Sequence, residues 1–518
     1  RIDGAGGDDT AEYLYSSSGV DVSLVRAVTI AGVVYTGSGL NGDAQGDGLL
    51  NVESVSGSDY DDVITGNALV NYLAGNSGND VLHGAGGNDN LNGGNGEDDI
   101  FGEGDDDYIS GGAGADTLDG GDGFDTADFS SATGAAISGV TINLITGTGI
   151  GGDADGDTIV NFEKVIATNR DDILISDNNS HVFVGGSGDD QFFGNGGNDW
   201  FEPGLGEDTV DGGADVDMVS YSDLVWSVSA SLLSGIATSF SVNDTLIDIE
   251  NITGTIHSDT LEGDLGANRL RGLGGYDWFI GTGGGDTFEG GTGYDTVSYQ
   301  NATGAVTVDL SLNIGTGGQA LGDSYVSIEN VSGSSYGDLI YGDAGQNNFR
   351  GLAGYDIFVG STGGRERYDG GSGSDSVTYF LSTSGGSASL NLGYGSGGDA
   401  SLDLYTSIEN LTGSAYDDNL TGDNGRNGLR GLAGNDQLLG YGDTDYLTGG
   451  RGDDEIDGGD GSDYAYFDGN VADYIITENA FKDVTIAWNG SGAGDGTDHL
   501  VDVEYFIFND QMLNVWTL

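Results

Sequence analysis

The chain has 518 residues, 85 of them acidic and only 13 basic, for a formal net charge of −72; nucleic acid and anionic membranes, which need basic surface, are excluded as default partners. A share of 36% hydrophobic residues, with 25 Tyr and 18 Phe, supplies enough apolar surface for a folded core, unlike most strongly acidic disordered chains. One proline among 101 glycines excludes collagen, zero cysteine excludes disulfide staples, and no apolar run nears the ~20 residues that span a bilayer. Cations are the natural partner.

In chain order, RIDGAGGDDT comes first, without Met or a signal-peptide pattern. Ile2 to Thr10 reads as the close of a nine-residue unit, so the expectation is a piece of something longer, cut inside a repeat. Residues 1–54 then hold the end of that array and an interlude. From Val55 an unbroken nine-residue frame runs to Thr126, including LAGNSGNDV, LHGAGGNDN, LNGGNGEDD, IFGEGDDDY, ISGGAGADT and LDGGDGFDT. Place one is Leu, Ile, Val or Phe, places three and six are usually Gly, and place eight is Asp. The frame returns at Val165 to Met218, Ile252 to Thr296, Val331 to Ser376 and Leu411 to Tyr464.

A longer period overlies the short one. Each array ends on an aromatic four residues past its last place-eight aspartate (Phe129, Tyr221, Tyr299, Tyr379, Phe467), and Tyr13 matches. Each array begins just after a glutamate segment: Glu53, Glu163, Glu250, Glu329 and Glu409, with Glu504 closing the series. Five arrays are therefore expected at 55–129, 165–221, 252–299, 331–379 and 411–467, with interludes at 130–164, 222–251, 300–330 and 380–410 and a C-terminal β module at 468–518. The interludes carry alternating stretches such as VTVDLSL (306–312), which read as half-buried strands. No window reads as a long amphipathic helix.

An apolar residue followed by a Gly-rich turn every nine residues repeats too fast for hairpins and suits a coil of short parallel strands. Two units per coil would advance the axis by about 4.8 Å, the ordinary strand spacing. Glycine at fixed places lets backbone carbonyls converge where a side chain would obstruct them. Stacking aspartate loops this way demands counter-charge. Ca²⁺, which takes six to eight flexible carboxylate and carbonyl oxygens, fits better than Mg²⁺, and zinc is poorly served without Cys.

GGAGAD, GGDGFD, GGSGDD, GGTGYD, GGSGSD, GGRGDD and GGDGSD resemble the GGxGxD nonapeptide of the RTX (repeats-in-toxin) family. The resemblance implies an all-β fold of tandem parallel β-rolls separated by short β-strand interludes, an elongated rod with calcium between successive loops. Carried over by position, the ligand aspartates would be Asp9, then Asp80, Asp89, Asp98, Asp107, Asp116 and Asp125 in the first full array. Asp190, Asp199, Asp208 and Asp217 follow in the second, and Asp277, Asp286 and Asp295 in the third. Asp356 and Asp375 belong to the fourth array, and Asp436, Asp445, Asp454 and Asp463 to the fifth. Backbone carbonyls of Gly75, Gly84, Gly93, Gly111, Gly120, Gly185, Gly194, Gly290, Gly370, Gly449 and Gly458 would complete the shells. Roughly one to two dozen Ca²⁺ are expected, fewer than the loops, because each ion needs several oxygens and each array opens with units ending in Asn or His. Arg365 falls in a ligand slot of a frame with one inserted residue and is expected to abolish a site.

Several motifs mimic chemistry. GSSYG at 333–337 fits a nucleophile elbow but lies inside the repeat frame, without strand-to-helix context. Arg451-Gly452-Asp453 spells an adhesion tripeptide inside a repeat, and His83, His181, His257 and His499 form no metalloprotease motif. The chain itself is therefore not expected to be an enzyme. The resemblance implies secretion by a Gram-negative bacterium through a type I system, folding on calcium outside the cell, and a C-terminal secretion signal. The leading expectation is a surface-layer, matrix or adhesin component, assembling through Ca²⁺-bridged acidic surfaces and with cell-surface polysaccharide as a further partner. The alternatives are the folding region of a larger secreted protease, lipase or alginate epimerase, or of a toxin.

Overall fold

The structure is a computed structural model; it describes residues 2–25, 28–30, 33–35, 37–131, 139–361, 363–479, 483–490 and 494–515. The chain forms two units, Arg1–Thr255 and Ile256–Leu518, each a coil of short parallel strands. Among the described residues the only helices are three-residue 3-10 turns, and no helix is long and apolar enough to cross a membrane.

Each nonapeptide contributes one strand centred on place one, and alternate units go to opposite sheets. Pairing therefore joins residues two units apart: Leu73 opposes Leu91 and then Ile109 in one sheet, Leu82 opposes Ile100 and then Leu118 in the other. All six of these side chains are 0–1% exposed, so the place-one residues form the core between the sheets. In the second array that core is aromatic. Phe192 of one sheet meets Phe201 of the other edge-on at 5.8 Å. At ~25 cal/mol per Å² of apolar area a core this thin is modest, and the loop edges must be stabilised separately.

At Gly96, a place-six residue, glycine is dictated by the coil. A methyl group built on Gly96 (φ +142°) would lie 1.7 Å from the Gly78 carbonyl oxygen, one coil back. Only a residue without Cβ closes the turn there.

The interludes, read from the sequence as separating the rolls, do not end the ladders. Thr117–Asp122 pairs in parallel with Thr158–Val160, and Thr126–Asp128 with Lys164–Ile166, so both sheets pass straight from the first array into the end of the interlude. The other strands described in the interlude form an antiparallel meander laid into one sheet: Thr158–Val160 beside Thr148–Ile150, beside Thr141–Asn143, which then pairs in parallel with Ile173–Ile175 of the next array. The alternating pattern at 306–312 forms the strand Thr307–Asp309 of an equivalent meander. Continuation wins over separation because an interlude coil that keeps the parallel register leaves no unpaired sheet edge between arrays. In the C-terminal module Tyr505–Ile507 turns antiparallel onto Met512–Asn514 and Thr497–Val501 onto Val484–Trp488. Residues 516–518 at the end of that module lie outside the described residues.

Candidate cation sites on the loop edges

Place eight follows the strand-forming residue by a tight turn, and the coil stacks each such side chain on the one 18 residues away. In the first array the Asp80 backbone N–H donates to Asp98 Oδ1 at 2.7 Å, Asp98 N–H to Asp116 Oδ1 at 2.9 Å, Asp89 N–H to Asp107 Oδ1 at 2.8 Å, and Asp107 N–H to Asp125 Oδ1 at 2.7 Å. The same bond seats Asp190, Asp199, Asp208, Asp217, Asp277, Asp286, Asp295, Asp356, Asp436, Asp445, Asp454 and Asp463. Asp375 keeps it across the inserted residue, accepting from Asp356 N–H, 19 positions back. One oxygen of each carboxylate is thus fixed by the backbone.

The second oxygen is the informative one. Oδ2 of every aspartate expected as a ligand, except Asp286, is buried with no hydrogen-bond partner. Asp286 Oδ2 instead accepts from Thr282 Oγ1 at 3.2 Å. A buried carboxylate oxygen without a partner is costly, and a series of them in register makes these positions candidates for holding a cation. Each points into a cradle that a side chain would fill. A methyl group on Gly75 would sit 2.1 Å from Asp80 Oδ2 and 2.6 Å from the Gly93 carbonyl oxygen. On Gly93 it would sit 2.3 Å from Asp98 Oδ2 and 2.6 Å from the Gly111 carbonyl oxygen. The carbonyls of Gly120, Gly290, Gly370, Gly449 and Gly458 project in the same way at the glycine one coil earlier, whereas that of Gly84 meets Gly66 beside Asn71 Oδ1. Gly185 and Gly194 line cradles closed by the carbonyls of Pro203 and Gly212. Among the described residues no three acidic or imidazole side chains converge, so carbonyl oxygens must supply much of each shell. That donor set suits Ca²⁺.

Electrostatics agree. Loss of water pushes these carboxyls up, against the pull of the N–H each accepts and with help from neighbouring aspartates: to about 7 at Asp80, Asp89 and Asp107, and to about 8 at Asp208. A divalent cation would hold the same groups ionised.

The opening loops of four of the five arrays are built differently. Asp62, Asp172, Asp338 and Asp418 occupy place eight, yet their second oxygen is satisfied at home, by the backbone N–H of Ser58, Thr168, Ser334 and Ser414 at 2.5–2.8 Å, with the hydroxyl of the same residue adding a bond. Ser334 is the would-be nucleophile of GSSYG; its hydroxyl donates to Asp338 Oδ1 at 2.7 Å and is buried. In the following loop Asn71, Asn347 and Asn427 accept a backbone N–H through Oδ1 and donate Nδ2 to the carbonyls of Glu53, Glu329 and Glu409. His181, its pKa lowered by burial, is held by the Ser176 hydroxyl at 2.7 Å. These loops seal themselves, and their place-eight side chains bury no unpartnered oxygen.

Two findings lay beyond the sequence reading. Arg365 is exposed and outside the slot: the inserted residue advances the chain so that Glu366, 1% exposed, takes place eight, its N–H on Asp403 Oδ1 and its Oε2 unpaired. The expected loss of a site through Arg365 is corrected accordingly. Interlude aspartates also join the series. Asp157, Asp244, Asp323, Asp403 and Asp498 accept the N–H of Asp116, Asp208, Asp286, Glu366 and Asp454. At Asp323 and Asp403 the second oxygen is capped by the hydroxyls of Tyr299 and Tyr379, at 2.5 and 2.7 Å. At Asp157, where Phe129 stands in the tyrosine's place, it is unpaired. The signal was in the sequence, as the Asp of each GGDADGDTI-like turn and the aromatic ending each array.

A parallel two-sheet coil whose loops align buried carboxylate and carbonyl oxygens is a cation-binding β-roll. The RTX calcium-binding nonapeptide repeat, a four-copy unit, matches residues 66–100, 92–127, 182–219, 253–287, 262–297, 327–358, 406–438 and 439–470. The chain belongs to the RTX family and is a calcium-binding repeat protein. No curated protein matches it.

Proposed function

We propose that this protein is a structural component of a cell surface or extracellular matrix that is secreted unfolded and folds on meeting calcium. The single observation that carries the reading is the row of buried, unpaired Oδ2 atoms running along the loop edges of both units. When bound, calcium supplies positive charge and an oxygen-seeking coordination shell to these cradles. The place-eight aspartates hold it through Oδ2, and the place-three carbonyls line the approach. Without it, aspartate repulsion and the entropy of ordering 101 glycines favour an open chain; with it, binding free energy becomes folding free energy. Exposed loop acids such as Asp105, Asp106, Asp122, Asp171 and Asp189 add a second, outward population of carboxylates, available for calcium bridges between neighbouring molecules.

The test is light scattering with negative-stain microscopy while calcium is titrated into the chelated protein, with magnesium as control. Growth into sheets or filaments, reversed by chelator, is expected. Compaction to monomers that never associate would assign the chain instead to the folding and secretion region of a larger protein. No response to calcium would sink both readings.

A further inference from the structure

The family repeat accounts for cradles between nonapeptides, but the last aspartate of each array has no nonapeptide beyond it. The interlude takes over, and in the same way every time. Six triplets recur, N-V-E at 51–53, N-F-E at 161–163, D-I-E at 248–250, S-I-E at 327–329, S-I-E at 407–409 and D-V-E at 502–504. The middle residue of each is buried in the core, 3–6% exposed. The first is a non-glycine residue held at φ +47° to +58°, a conformation L residues rarely adopt. The third is the glutamate that follows every array.

At the end of the first full array the Asp125 N–H donates to Glu163 Oε2 at 2.8 Å, and the Glu163 and Lys164 N–H groups return to the Asp125 carbonyl at 3.2 and 2.9 Å. Asp125 is 0% exposed and its Oδ2 has no partner. A methyl group built on Gly120 would lie 2.1 Å from the Asn161 carbonyl oxygen and 2.8 Å from Asp125 Oδ2. The left-handed turn at Asn161 thus delivers its carbonyl to the place that the next glycine carbonyl fills inside an array. Asp217 with Asp248 and Glu250, and Asp295 with Ser327 and Glu329, repeat the arrangement, as do the remaining three ends. Backbone strain at six unrelated Asn, Asp and Ser residues, each placing one carbonyl beside one unpaired buried carboxylate oxygen, needs a common cause.

We propose that each interlude completes one further cation site at the end of the array before it, with the carbonyl of the triplet's first residue and Oδ2 of the array's last aspartate as ligands and the triplet's glutamate as the positioning residue that fixes that aspartate. The inference rests on the calcium reading above and extends it: interludes are part of the binding machinery, so an array holds one ion more than its own nonapeptides complete.

The experiment counts bound calcium per full-length chain by equilibrium dialysis and metal analysis. In one variant the first residue of all six triplets becomes Val (Asn161→Val and its counterparts), which cannot hold a positive φ. In a second it becomes Gly (Asn161→Gly), which keeps turn and carbonyl but loses the side chain. The Val set is expected to bind about six fewer ions than wild type, because an ion needs its full set of oxygens, and the Gly set the full number. Changing the glutamates to Gln (Glu163→Gln), which preserves an acceptor for the Asp125 N–H, should keep the count, whereas Glu163→Ala and its counterparts should lower it as the Val set does. Should the Val set fail to fold, the terminal-aspartate set (Asp125→Asn and counterparts) answers instead, with the same loss expected. A full count in the Val set or the terminal-aspartate set overturns the inference alone. Wild type binding no calcium overturns the reading beneath it.

Discussion

The first two loops of an array and the loops that follow share one frame, one coil and one buried place-eight side chain, yet differ in where the second oxygen goes. At Asp62 it returns to Ser58 of the same loop; at Asp80, one coil on, it faces the Gly75 cradle unpaired. The cause lies four residues upstream. Ser58 at place four presents both N–H and hydroxyl to the carboxylate, whereas LAGNSGND has Asn76 at place four, held at φ +83°, and Gly78 in place of Tyr60 at place six. A repeat protein can thus keep one fold while switching a loop between self-sealed and open.

The largest effect that tests this contrast is chelation. Removing calcium at neutral pH should abolish most β-structure in circular dichroism, because the open loops outnumber the sealed ones, and restoring it should reverse the loss. A calcium-free chain that stays fully folded would erase the distinction.

Acid should act in opposite directions with and without the ion. The open-loop carboxyls are raised in the folded, metal-free state, to about 7 at Asp80, Asp190 and Asp436. Their burial is tolerated below the ordinary carboxylate range and becomes destabilising as pH rises through about 7. The chelated chain should therefore gain structure when taken from pH 7.5 to 4.5, and calcium affinity should fall over the same interval as protons compete. Equal behaviour of the two states on acidification would contradict the assignment.

Single substitutions sharpen the comparison further. Asp107→Asn, in an open loop, should lower the calcium count. Asp62→Asn, in a sealed loop, should cost about 1–3 kcal/mol through lost charge-assisted hydrogen bonds and leave the count unchanged. The smallest expected effect is Ser58→Ala, about 1 kcal/mol in denaturant unfolding, again with no ion lost. Calcium lost from both sealed-loop variants would show that those loops bind it after all.

Much of this was legible in the sequence because the repeat is strict. Place one announced the core, place eight the carboxylates, and the absence of long amphipathic windows the lack of long helices. What stayed hidden depends on geometry between coils. Asn161 and Ser327 look like ordinary turn residues until their positive φ and the carbonyls they deliver are seen. Glu366 was masked by Arg365 because an insertion shifts the frame by one, and only pairing across 19 residues reveals which side chain lands in the slot. The sealing of Asp62 by Ser58 depends on a hydroxyl at place four, a position that tolerates many residues elsewhere and so drew no notice. The interludes, lacking the nine-residue frame, gave no sign that they continue both ladders, since that register is set by strands in the arrays on either side.

The central claim is that the unpaired place-eight oxygens hold the cations and the self-sealed ones do not. An anomalous-difference map from calcium-soaked or terbium-soaked crystals of the full chain tests it most directly. Peaks beside Asp80, Asp98 and Asp116, with none beside Asp62, Asp172, Asp338 and Asp418, are the expected result. Peaks at the sealed aspartates, or bare density at the open ones, would contradict it.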